Sequence, residues 1–147
     1  MSEENLSYKL LNAKEAFKTL EIAYKYYSKE LDKIAWSEIL ELKKITRDSV
    51  IQRFEYTVET LWKFLYVYLK DRHGLYDSAI SPKNTFREAL KTRLVTSEEV
   101  ELAIEMVNDR NLASHTYKEE TAEQIVSRMP AYIKLIRKLL QELEQNL

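Results

Sequence analysis

Nine consecutive residues, Asp109-Arg110-Asn111-Leu112-Ala113-Ser114-His115-Thr116-Tyr117, concentrate the side chains with chemistry to offer. An imidazole can give or take a proton near neutral pH. A guanidinium is always charged and can hold two oxygens of a phosphate at once. On an ideal helix Asn111 and His115 lie one turn apart on nearly the same face, whereas Arg110 and His115 stand about 140° apart. Arg110 and His115 therefore converge only if the helix loosens toward its end. Continuing the apolar stripe Val100, Ala103 and Val107 brings Arg110 or Asn111, then Ser114, to the inward positions. A buried guanidinium is costly unless it meets an acid, a phosphate or a water-filled groove. Thr116 and Glu119 have the spacing of a capping box, which would start a new helix directly after this stretch. Arg110, Asn111, His115 and Tyr117 would then face one groove where two helices meet. The plainer alternative is a helix-end histidine that only hydrogen-bonds, with the arginine paired to a glutamate across the fold.

The rest of the chain supplies helices to position that stretch. Leu6, Leu10, Ala13, Phe17, Leu20, Tyr24, Tyr27 and Leu31 recur in steps of three and four, which predicts a long helix over about 4–31. Ser37 to Lys44 reads as a short second helix, with Ser37 as its cap. Ile51, Phe54, Val58, Leu61, Leu65 and Tyr68, widened by Trp62 and Leu69, define the next long helix. It should end near Lys70 to Gly74, where cations suit a helix C-terminus and the single glycine can cap it. Ser81-Pro82 opens a helix to about Arg93, and Ser97 with Glu98 and Glu99 opens another. The last helix begins near Glu119 and turns Ile125, Met129, Tyr132, Ile136, Leu139 and Leu143 inward, with Pro130 expected to kink it. Steps of three and four suit helices crossing at shallow angles, so the expected fold is all-α, an up-down four-helix bundle with one or two extra short helices. A looser orthogonal array is the alternative.

Composition bounds the chemistry. The 147 residues read as one domain, 1–147, and one glycine with two prolines is too little punctuation for a many-stranded sheet. Without cysteine there are no disulfides or thiolate metal sites. Two histidines far apart in sequence, His73 and His115, argue against a histidine-built metal site, and His73 beside Gly74 reads as a helix-terminal surface residue. No apolar run spans a bilayer and no export signal is evident, so a cytoplasmic protein without a membrane partner is expected. The formal net charge of −1 does not suit tight non-specific binding to duplex DNA. Locally, however, Lys63, Lys70, Arg72, Lys83, Arg87, Lys91 and Arg93 face only Asp71, Asp77 and Glu88 over residues 63–93. That stretch is either a surface for RNA or an ordinary solvated mixed face. Ten tyrosines and two tryptophans exceed what so small a core needs and leave aromatic surface for a partner.

The pattern Arg-x4-His-x-Tyr, spelled Arg110-Asn-Leu-Ala-Ser-His115-Thr-Tyr117, resembles the signature of the HEPN family. Within that family the chain is similar to the branch paired with a minimal nucleotidyltransferase, known as its substrate-binding protein. Three further stretches carry the resemblance: IQRFEYTVETLWKFL from Ile51 to Leu65, SPKNTFREA from Ser81 to Ala89, and KEETAEQI from Lys118 to Ile125. Ala113 and Lys118 depart from the polar residues expected at their positions, which touches groove shape and local charge rather than the catalytic groups.

The resemblance implies an RNA-cleaving toxin that works without a metal or cofactor, in a groove formed across a homodimer. Its partner would be a minimal nucleotidyltransferase on a separate chain. His115 would be the base or acid, Arg110 the electrostatic clamp, and Asn111 would orient the histidine or the phosphate. It further implies that the partner attaches AMP to Tyr117. A second reading is a non-catalytic subunit that binds nucleotide or substrate for that enzyme. A third is a purely structural dimerising bundle.

Overall fold

The computed structural model describes residues 3–29, 36–75, 80–115 and 118–147. These residues form six helices: α1 (Glu3–Lys29), α2 (Trp36–His73), α3 (Pro82–Lys91), α4 (Ser97–His115), α5 (Glu119–Ser127) and α6 (Met129–Gln145). The long helices α1, α2, α4 and α6 make the bundle, and α3 and α5 are the short additions.

Ion pairs report the direction of each helix. Lys14 meets Glu144 and Arg137 meets Glu21, so α1 and α6 run antiparallel. Arg128 meets Asp109 and Lys138 meets Glu99, so α4 and α6 do as well. Between α2 and α4, Glu59 pairs with Arg110 and Glu55 with Ser114, again in opposite order. The bundle is up-down, as the spacing of apolar residues predicts.

The stripes become the core. Leu6, Leu10, Ala13, Phe17 and Leu20 of α1 are buried, with Tyr24 and Tyr27 partly so. They meet Phe54, Val58, Leu61 and Leu65 of α2 and Tyr132, Ile136, Leu139 and Leu143 of α6. Leu31 lies outside the described residues.

Local chemistry explains the ends. Ser81 caps α3 by accepting from the Asn84 N–H at 3.1 Å, with Pro82 in the first turn. Helix α3 stops at Lys91, two residues before the expected Arg93. Leu94 N–H donates to Ala89 O and Arg93 N–H to Leu90 O, a Schellman end that puts Arg93 at φ 64°. Thr96 and Glu99 cap α4 reciprocally, at 3.2 and 2.9 Å. Gly74 closes α2 at φ 67°, the left-handed conformation for which glycine carries no steric cost.

Two boundaries differ from expectation. Ser37 to Lys44 is not a separate helix but part of α2, because no glycine or proline interrupts the chain between Trp36 and His73. The N-cap of α5 is Lys118, at φ −117° and ψ 132° and without a side-chain cap bond, rather than Thr116, which lies outside the described residues. The expected break between α4 and α5 is present. Pro130 relaxes the last segment into two helices joined at Arg128, which ends α5 and begins α6. Among the described residues no helix is long and apolar enough to cross a membrane.

Candidate functional site

The described part of the motif, Asp109 to His115, occupies the last turns of α4, where that helix crosses α2. Asp109, rather than Arg110 or Asn111, continues the inward face. It is only 3% exposed. Arg128 grips it with two bonds, Nε to Oδ2 at 2.7 Å and Nη2 to Oδ1 at 2.8 Å, and the Tyr132 hydroxyl donates to the same carboxylate. The Tyr132 ring stacks on Phe54, with centroids 5.5 Å apart. Burial, then hydrogen bonding to Asp109, pushes the Tyr132 phenol well above its ordinary value, so it remains a donor. Hydrogen bonding to Asp109 raises the Arg128 pKa against the opposing cost of desolvation. This buried knot fixes the rotation of α4 about its axis.

With Asp109 locked inward, Arg110 turns toward α2. Its Nη2 donates to Glu59 Oε2 at 2.9 Å and its Nη1 reaches Asn111 Oδ1 at 3.3 Å. Arg110 Nε is buried and meets no acceptor among the described residues. The side chain is still 30% exposed. Glu59 also accepts from Trp62 Nε1 at 3.1 Å and pairs with Lys63 at 2.9 Å. Burial pushes its carboxyl up, but the bonds from Lys63 and Trp62 and the Lys63 and Arg110 charges outweigh that and hold it below its ordinary value. One turn away Ser114 Oγ donates to Glu55 Oε2 at 3.2 Å.

The structure thus brings Arg110, Asn111 and Ser114 to one edge of the α2–α4 crossing. Asn111 is exposed. His115 is the last residue of α4, and its side chain lies outside what is described. Tyr117 lies outside the described residues. Helix α4 keeps its α-helical form through His115, so the loosening that would bring Arg110 and His115 onto one face does not occur within the helix. Their backbone positions stand about 140° apart and about 7.5 Å along the axis. Within the basic stretch, Lys63 is paired with Glu59 and Lys91 with Glu88. Among the described residues no cluster of three or more potential ligands is placed to hold a metal ion.

The family model for nucleotidyltransferase substrate binding protein-like chains matches residues 8–145. The chain belongs to that family. A Thermus thermophilus protein of known structure is 37% identical, with a TM-score of 0.72 over 89% of this chain and 98% of its own. A tri-AMPylated Shewanella oneidensis HEPN toxin, solved in complex with its MNT antitoxin, has a TM-score of 0.73 at 16% identity, covering 99% of both chains. A toxin–antitoxin structure with AMP-PNP gives 0.72 at 17% identity, over 97% of this chain and 99% of that one. The fold of this family member is therefore the HEPN fold. A search of curated proteins finds no match.

Proposed function

We propose that the chain is a HEPN-type partner of a minimal nucleotidyltransferase and acts as a metal-independent ribonuclease toxin held in check by that partner. The observation that carries this reading is Arg110: a partly exposed guanidinium at the α2–α4 crossing, next in sequence to a buried acid that Arg128 holds. Arg110 would hold the non-bridging oxygens of an RNA phosphate as negative charge builds up. Neutral His115 would take the proton of the ribose 2′-hydroxyl, whose oxygen then bonds to phosphorus as the bond to the 5′-oxygen breaks. The leaving oxygen receives a proton from an imidazolium. Asn111, exposed beside the arginine, would orient the phosphate or the histidine.

The separation of Arg110 and His115 on a regular helix favours a groove completed by a second copy, so that residues from two motifs meet one phosphate. A homodimer of two-fold symmetry satisfies that need. Tyr117 would be the residue to which the partner attaches AMP. A phosphodiester there would bring negative charge and bulk close to Arg110, competing with the RNA phosphate.

The description of the matching family favours a second reading, a non-catalytic subunit that binds nucleotide or substrate for the nucleotidyltransferase. RNA with a 2′-deoxy substitution at the cut position separates the two. The ribonuclease reading requires that cleavage occur at the ribose and stop at the deoxyribose. Binding of both RNAs without cleavage of either would favour the second.

A further inference from the structure

A cavity of about 140 Å³ lies one helical turn from Arg110, between α2 and α5. Ile51 and Ile125 form its apolar walls, and Ala113 of the motif closes its end. Asp48, Gln52 and Glu55 line the α2 side. Asp48 accepts from Arg47 at 3.1 Å, and Gln52 Nε2 donates to the Tyr56 hydroxyl at 3.0 Å. The exposed Lys118 lines the space from the start of α5. Both positions at which the chain departs from the expected motif, Ala113 and Lys118, therefore border this space. Glu55 links the cavity to the site, since it accepts from Ser114 at 3.2 Å and precedes Glu59 by four residues. Four residues advance a helix about 6 Å. A strand whose phosphate sat on Arg110 would meet the cavity with its adjoining base.

We propose that this cavity is a base subsite for cytosine. Its volume is close to the roughly 150 Å³ that houses one six-membered ring in an apolar protein cavity. A pyrimidine ring fills that space, and a purine would extend beyond it. Two isoleucines can sandwich a flat ring, and the small Ala113 leaves room for its edge. The Glu55 carboxylate accepts and does not donate, so it suits the exocyclic amine of cytosine and repels the carbonyl that uracil carries there. Lys118, exposed at this space, supplies a cation that a flanking phosphate can meet. The inference deepens the ribonuclease reading and rests on it for the subsite's role in cleavage, whereas occupancy by the base does not depend on cleavage.

The test is titration of the full-length protein with cytidine, uridine and adenosine monophosphates, followed by NMR of the Ile51, Ala113 and Ile125 methyl groups. Cytidine monophosphate is expected to shift these methyls and to bind roughly fivefold or more tightly than the other two. Ala113→Leu fills the space and should abolish the shifts at Ile51 and Ile125. Glu55→Gln, which keeps the shape and adds a donor, should retain binding but erase the preference over uridine. Equal binding of cytidine and uridine by the wild type, tighter binding of adenosine, or shifts confined to other methyls would each overturn the subsite. Cytidine binding at these methyls by a protein that cuts no RNA would support the subsite and defeat only the ribonuclease reading. Cleavage of RNA without preference for a cytidine beside the cut would defeat the subsite's role in cleavage and leave the ribonuclease reading standing.

Discussion

Asp109 and Arg110 divide two tasks between adjacent side chains. Asp109 is buried and holds Arg128 and Tyr132, and Arg110 is partly exposed and pairs with Glu59 on α2. Arg110→Ala should therefore leave stability within about 1 kcal/mol of wild type, because a partly exposed ion pair contributes little and Glu59 retains Lys63 and Trp62. Thermal melts check this. Tyr132→Phe is the contrasting case. It removes a hydrogen bond to a buried carboxylate and should cost about 1.5–3 kcal/mol in urea unfolding. Glu59 supplies a pH test. Its folded-state pKa is depressed, so its contribution is present above the unfolded value and is lost as pH falls through the lower folded value. Between about pH 5 and 3 the wild type should lose more stability than Glu59→Gln. Parallel loss in both proteins would show that the cluster around Glu59 adds nothing to the fold.

At the scale of helices, the apolar stripes were readable because burial on one face repeats every three to four residues and nothing competes with that signal. Leu6 to Leu20 on α1 and Ile125 to Leu143 across α5 and α6 follow it directly. The continuity of α2 was not read, since a weakly amphipathic opening segment looked like a separate piece. Asp109 was missed for a different reason. An inward carboxylate breaks the apolar pattern, and only Arg128 and Tyr132, one turn apart on the last helical segment, signalled a cation and a phenol waiting for an acid. Arg47 was missed likewise: it is 2% exposed, paired with Asp48 and Glu123, and joins α2 to α5. The Schellman turn after α3 carries a prediction of its own. An L-residue in the left-handed region costs about 1–2 kcal/mol, and the added backbone entropy of glycine costs about 0.5–1. Arg93→Gly should thus raise stability by up to about 1 kcal/mol in urea unfolding, and a loss of stability would mean that the arginine side chain contributes more than its backbone costs.

The whole molecule is a small bundle with one polar edge. Four helices bury the core, and one edge of the α2–α4 crossing carries charged and polar groups: Glu55, Glu59, Arg110 and Ser114. The types and order of the motif residues were legible from the sequence. Their geometry was not, because it depends on Asp109 setting the rotation of α4. Incubation with the partner nucleotidyltransferase and ATP should add AMP to the chain, and Tyr117→Phe should abolish that mass increase. Light scattering should give a dimer at micromolar concentration, and a monomer with and without RNA would contradict the dimeric site proposed above. The most direct test of the central claim is cleavage of mixed-sequence RNA by the purified protein in EDTA, alongside Arg110→Ala and His115→Ala. The account predicts fragments from the wild type and none from either variant, with all three melting alike. An uncut RNA, or fragments that persist in both variants, would contradict it.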